Sequence, residues 1–205
     1  MYAPAHFAET DPDAVARLIE QARLGLLVTH GPQGLTATHL PFLYDRTGAR
    51  LIGHMARANP HSALAGDGEA LVVLAGPEAY VSPNWYPSKA ADGRQVPTWN
   101  YEAAHLHGRL TWFDDRDRLL DVVERLSARF EHGRPEPWRV ADAPADYIER
   151  LLRGIVGVEL AIARVEAVRK LSQNKAEPDR AGVVAGLASS PDPRDRLTAE
   201  AMQRG

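Results

Sequence analysis

The chain has 205 residues, 44% of them hydrophobic and 25% charged, with a formal net charge of −3 and no cysteine. That length supports one well-buried domain with a small appendage, and the missing cysteine excludes disulfides, thiolate metal sites and cysteine nucleophiles. The slight acidic excess argues against a dedicated DNA-binder, which carries a basic stripe; no basic segment leads into an apolar run at the start and no stretch approaches the ~20 apolar residues of a membrane span, so a cytoplasmic location is expected.

In chain order, "TDPDAVARLIEQARLG" reads as a helix, with Asp11 as cap, Pro12 in the first turn, Gly25 past the end and Ala14, Val15, Leu18, Ile19 and Ala22 on one face. "LLVTHGPQGLTATHLPFLYDRTGARLIGHM" reads as three strands separated by turns at Gly31–Gly34 and Asp45–Gly48, with Pro41 marking an edge or bulge in the second. "ANPHSALAGDG" is a short helix capped by Asn59 and "EALVVLAGP" a buried strand. Residues 77–100, holding Pro77, Pro83, Pro87 and Pro97 among several aromatic residues, are expected to be a long irregular segment, and such segments are more often functional than idle. A strand over 101–113, the amphipathic helix "DDRDRLLDVVERLSARFE", a loop, the helix "ADYIERLLRG" and the long strand "IVGVELAIARVEAV" follow. The tail reads as two short helices broken at Ser190-Pro191. Strands joined mostly by tight turns predict a mainly β protein, an antiparallel barrel with peripheral helices. The expected division is a barrel domain over 1–175 and a helical tail over 176–205, packed on the barrel or on a partner.

Several segments have the chemistry of a site. In "LIGHMARANPH" a strand ends at Met55, Arg57 follows and a helix opens at Asn59-Pro60. A helix start offers free N–H groups and an arginine can grip a phosphate in bidentate fashion, although on this segment alone a surface charge and a simple cap explain the residues better. In "TATHLPF", Thr36 and Thr38 share a strand face with Leu40 while His39 points the other way; they are β-formers or donors to a ring edge. "RKLSQNK" gathers Arg169, Lys170, Ser172, Gln173, Asn174 and Lys175, donors and cations suited to an anion or to a solvated strand end. "VPTWNYEAAHLHG" concentrates Trp99, Asn100 and Tyr101 ahead of His105 and His107, either as a lining for a flat ligand or as an aromatic cluster closing the barrel. The eight histidines show no metal-binding helix motif, so no metal site is expected, while one histidine as a haem ligand stays open. No G-x-S-x-G turn, dinucleotide-binding glycine turn or P-loop is present.

Taken together and in order, "MYAPAHF", "THLPF", "GHMARANPH", "YVSPNWYPSK", "VPTWNYEAAHLHG" and "KLSQNK" resemble the PaiB family, described as FMN-binding negative transcriptional regulators and related to the pyridoxamine phosphate oxidase and flavin reductase split barrels. The resemblance covers about residues 1–190. It implies an FMN-binding split β-barrel, a homodimer, and FMN held at the dimer interface. By position it puts the phosphate on Arg57 and Asn59, the ring edge on Thr38, His39 and Leu40 with His54 and Met55, and a contribution from the dimer partner on Trp99, Asn100 and Tyr101 with Lys170, Gln173 and Asn174. FMN has a flat apolar ring system, polar edges and an anionic tail, which aromatic residues, amides and a cation respectively satisfy.

The implied role is a regulator. DNA binding follows only from the family description, since no helix-turn-helix with a basic recognition helix is legible. The alternatives are a flavin-dependent reductase or oxidase of a small molecule, with His105, Tyr101 or Trp85 lining a cavity beside the ring, and a haem-binding protein on the same barrel.

Overall fold

The computed structural model describes residues 1–65 and 67–204. Its elements are β1 (Ala8–Glu9), α1 (Pro12–Gln21), β2 (Gly25–Gly31), β3 (Gly34–Leu40), β4 (Phe42–Asp45), β5 (Arg50–Ala56), α2 (His61–Ala65), β6 (Gly68–Val81), α3 (Lys89–Asp92), β7 (Thr98–Phe113), α4 (Arg116–Glu131), α5 (Ala145–Leu152), β8 (Ile155–Lys170), α6 (Glu177–Ala188) and α7 (Pro193–Gln203). The strands join in one eight-stranded sheet of order β3-β2-β6-β7-β8-β5-β4, with β1 paired to β8.

Pro41 explains how that sheet closes. The sequence predicts one strand across Thr36–Tyr44; the structure divides it into β3, which pairs with β2, and β4, which pairs with β5. These are the two ends of the hydrogen-bonded path, yet one residue joins them, so the sheet must curl back on itself. Pro41 has no N–H to offer a ladder, and the two halves part there. The backbone is tight at this point: a Cβ on Gly53 would meet the Pro41 carbonyl oxygen at 2.8 Å. This is a split antiparallel barrel with peripheral helices, as the turn pattern predicts.

The chain falls into two compact units, each built from separate stretches of sequence. The barrel unit comprises Ala22–Leu74 and His105–Val165; the terminal unit comprises Met1–Gln21, Ala75–Ala104 and Glu166–Gly205. In the barrel unit, Asp115 caps α4 by accepting from the Arg118 N–H at 2.8 Å. Leu119, Val122 and Leu126 then fall on one buried face by helical spacing, and Val122 and Leu126 join Leu43 of β4 and Ile52 of β5 in a shared core. Each such buried side chain contributes about 1.5–3 kcal/mol relative to exposure.

In the terminal unit, Asp11 caps α1 through the Asp13 and Ala14 N–H groups, and its buried face is Ala14, Ala16, Leu18 and Ile19. Ala16 takes the place expected for Val15, which is only half-buried. Helices α6 and α7 pack Val183, Leu187, Ala201 and Met202 against Ala79 and Val81 of β6 and Leu171 beyond β8. The irregular stretch is shorter than predicted, because β6 continues through Pro77 to Val81 and β7 begins at Thr98. Its ladder to β2 stops at Leu74, so Pro77 breaks no hydrogen bond on that side. Between the two strands lie a single 3-10 turn at Pro83–Trp85 and α3.

Candidate functional site

The residues that sequence reasoning singles out divide cleanly between the units. Thr38, His39, Leu40, His54, Met55, Arg57 and Asn59 belong to the barrel unit; Trp99, Asn100, Tyr101, Lys170, Gln173 and Asn174 belong to the terminal unit.

In the barrel unit the centre of the polar set is His61, which is fully buried. Thr29 Oγ1 of β2 lies 2.8 Å from its Nε2, and Thr38 Oγ1 of β3 lies 2.8 Å from its Nδ1. Asn59 Nδ2 donates to Thr38 Oγ1 at 3.4 Å, and Asn59 Oδ1 accepts the His61 backbone N–H at 3.0 Å. With Asn59 donating to Thr38, the Thr38 proton is free to go to Nδ1, which favours the imidazole proton on Nε2. Burial holds the His61 pKa below its ordinary value of 6.5, so the ring is neutral. The ring also meets Trp112 edge-on at 6.1 Å.

Sequence reasoning missed both Thr29 and His61. The signal lay in β2, where strand alternation puts Thr29 on the same face as the buried Leu27. A polar residue on a core face needs a partner, and His61 is that partner.

Arg57 leaves the end of β5 and is fixed in place: Nε donates to the Arg153 carbonyl at 3.1 Å and Nη2 to the Ile155 carbonyl at 2.9 Å. No residue among those described engages Nη1. Thr38 is half-buried, His39 is exposed on the opposite face, and Leu40 and Met55 are core residues, so Leu40 and Met55 can offer a ligand only their backbone. His54 Nδ1 is shielded from solvent with no hydrogen-bond partner among the described residues. Burial lowers the His54 pKa as well.

The same unit carries an open cleft of about 720 Å³ along β2, β3, β6, β7 and β8. Its walls are apolar at Val28, Leu35 and Leu71 and basic at His107, Arg109 and Arg164, and Thr29 lines it as well as holding His61. A cleft of that size lies within the roughly 300–1,000 Å³ that small-molecule sites occupy. Gly108 lines it where β7 and β8 approach closely; a Cβ there would stand 2.0 Å from the Ala161 carbonyl oxygen. The cleft, which Glu69 also lines, joins apolar walls to basic side chains; the spare donor of Arg57 and the orphaned His54 nitrogen, the groups suited to a phosphorylated flavin, lie outside its lining.

In the terminal unit, Trp99 is 53% exposed and meets Tyr80, itself 45% exposed, edge-on at 6.2 Å. Trp99 is therefore not the core aromatic that would close a barrel. Asn100 is the buried member of its segment, with Nδ2 donating to Ser172 Oγ at 3.0 Å and Ser172 Oγ donating to Asn100 Oδ1 at 3.2 Å. Ser172 adopts φ of 62°, a left-handed conformation that costs a non-glycine residue about 1–3 kcal/mol and that the surrounding contacts must sustain. Tyr101 is half-buried.

Lys170 donates from Nζ to Thr98 Oγ1 at 2.6 Å and to the Trp99 carbonyl. Gln173 turns back on its own loop, accepting the Leu171 N–H at 2.7 Å and donating to the Arg169 carbonyl. Arg169 is committed to Glu102 at 2.6 Å and Glu9 at 3.5 Å, which removes it from the set of spare cations. Asn174 lines a small cavity with Lys170 and Lys175. Trp85 is occupied by packing: a Cβ on Gly186 of α6 would lie 2.4 Å from its ring.

Known proteins carry the same pattern. The family model described as "Putative FMN-binding domain" matches residues 1–164. The "Protease synthase and sporulation protein PAI 2" of Bacillus subtilis is 30% identical over 206 residues, covering 99% of this chain and 97% of that protein. An uncharacterized protein of Emericella nidulans is 32% identical, covering 91% and 90%. Among solved structures, the FAD and haem binding protein of Mycobacterium smegmatis aligns with a TM-score of 0.62 at 19% identity, covering 85% of this chain and 78% of that one. The flavocytochrome Anf3 of Azotobacter vinelandii aligns at 0.61 and 16%, covering 85% and 75%; at such identities these two establish the fold. The sequence match across nearly the whole chain, on a split barrel with a flavin-sized cleft, makes this chain a member of the PaiB family of FMN-binding split-barrel proteins.

Proposed function

We propose that two copies of this chain pair to hold FMN where they meet, and that the flavoprotein acts as a regulator of the PaiB type. The observation that carries the pairing is the separation of flavin-suited residues into two sets, the second of which displays Tyr80 and Trp99 to solvent. Exposed aromatic pairs beside polar groups mark surfaces that another molecule covers. A two-fold dimer would set the barrel unit of one copy against the ring-rich segment of the other.

In this reading Arg57, locked by two carbonyls, turns its spare Nη1 to the phosphate, with Asn59 beside it. Thr38, the backbone of β3 and β5, and His54 Nδ1 meet the polar ring edges. Trp99 and Tyr101 of the second copy cover the ring and keep water from it, while the buried Asn100 holds their segment in place through Ser172. FMN supplies redox chemistry once bound, while the chain supplies position and electrostatics. The regulator role rests on the description of the PaiB family, and the 30% identity to the PAI 2 protein over nearly the full length of both chains supports the family. The −3 net charge makes strong binding to bare duplex DNA at physiological salt unexpected, and a salt-titrated mobility shift with the FMN-loaded protein checks that.

Complementation tests the shared site. Arg57→Ala and Trp99→Ala chains each bind FMN weakly alone; mixed and allowed to exchange, they regain a fraction of the flavin sites, because each mixed dimer carries one intact site. No gain on mixing, with subunit exchange verified by mass, contradicts the shared site.

A further inference from the structure

The cavity lined by Asn174 is built differently from the cleft of the barrel unit. It measures about 230 Å³ and lies wholly within the terminal unit. Two ammonium groups face it, Lys170 from the end of β8 and Lys175 from the loop beyond. Lys170 spends two donors on Thr98 Oγ1 and the Trp99 carbonyl. Lys175 spends one on Gln95 Oε1 at 2.9 Å and stands 4.7 Å from the centre of the Tyr86 ring. Among the described residues neither forms an ion pair. The nearby carboxylate of Asp179 is taken by the Ser88 N–H at 3.0 Å and the Ser88 hydroxyl at 2.7 Å.

A second, independent observation comes from Tyr86. It lines the same cavity and is 2% exposed, and its hydroxyl is sealed from solvent without a hydrogen bond of full geometry. Burial pushes its pKa up; the nearby Ser172 hydroxyl opposes this and the Asp179 charge adds to it. Buried polar groups are hydrogen-bonded as a rule, so an orphaned hydroxyl on a cavity wall implies an acceptor brought by a ligand. The opposite wall is apolar at Phe7 and Val96.

Two unpaired cations and an orphaned donor around a small space call for an oxyanion. The volume falls below the range of cofactor-sized sites, so it takes a group of a few heavy atoms and not a flavin. We propose that this cavity binds the phosphate or carboxylate of a small molecule other than FMN, held by Lys175, the remaining donor of Lys170 and the Tyr86 hydroxyl. It is a second ligand site, suited to a small acidic metabolite.

The probe is inorganic phosphate, with acetate as the carboxylate arm, titrated by calorimetry into the full chain both free of FMN and saturated with it. Flavin fluorescence reports FMN affinity separately. Saturable binding of either anion is expected in both forms, weakened about tenfold by Lys175→Gln and less by Tyr86→Phe, with FMN affinity unchanged in both variants. Because Lys175 donates only to Gln95, Lys175→Gln is expected to fold normally. Absence of anion binding in both forms overturns the proposal. So does anion binding that FMN abolishes while Lys175→Gln weakens FMN, since the cavity would then belong to the flavin site. Loss of FMN binding alone, with anion binding intact, would sink the flavin reading and leave this one standing.

Discussion

The His61 network and the terminal cavity treat buried polarity in opposite ways. Around His61 every polar group finds a partner within the barrel unit: two threonine hydroxyls on the imidazole, an asparagine amide on one hydroxyl, a backbone N–H on the asparagine. In the terminal cavity two ammonium groups lack ion pairs and the Tyr86 hydroxyl makes no hydrogen bond of full geometry. A satisfied network stabilises the fold and resists change; an unsatisfied one sacrifices some stability and gains a ligand. Substitution should therefore be costly in the first region and nearly free in the second.

The largest effect belongs to His61→Ala, which removes a ring from the interior and strands Thr29 and Thr38. A loss of about 3–5 kcal/mol in unfolding free energy is expected from urea denaturation. Gly108→Ala follows: the added Cβ must push back the Ala161 carbonyl, at a cost of about 1–3 kcal/mol in the same denaturation. Thr38→Val keeps the shape but removes the hydroxyl that serves Nδ1 and Asn59, and about 1–2 kcal/mol is expected from the same measurement. At the other extreme, Lys175→Gln should change stability by no more than about 0.5 kcal/mol; a loss as large as that of Thr38→Val would erase the distinction between the regions.

Acid sharpens the comparison further. His54 and His61 both have pKa values held below 6.5 by burial. The unfolded chain therefore takes up protons before the folded one, and stability is full above pH 6.5 and declines as the pH falls below it. The melting temperature should drop with acidification in this window, and His54→Gln should flatten the slope. A melting temperature that rises on acidification would mean that these imidazoles are charged in the folded protein.

Much of the fold was legible because local rules agreed with the tertiary structure. Asp11 caps the helix that its position announces. Pro41 was readable as an interruption but not as the point of barrel closure, because closure depends on which strands occupy the two ends of the sheet. Pro77 misled: it reads as the end of a strand, yet it sits where the β2 ladder has already stopped.

The site was legible in outline only. Arg57 and Asn59 stand near each other after β5, as the motif implies, but nothing local reveals that two carbonyls lock Arg57. His61 could not be told from its scattered fellows without knowing that Thr29 and Thr38 converge on it. Lys170 and Lys175 face one cavity only because the chain turns through the left-handed Ser172, a conformation that sequence does not disclose for a serine.

The most direct test of the shared flavin site is sedimentation of the FMN-loaded protein, followed in the visible band of the flavin. The account predicts flavin and protein in equal amounts travelling together at the mass of a dimer, with Trp99→Ala releasing flavin. Flavin travelling with a single chain, held as tightly by Trp99→Ala as by the unaltered protein, would contradict it.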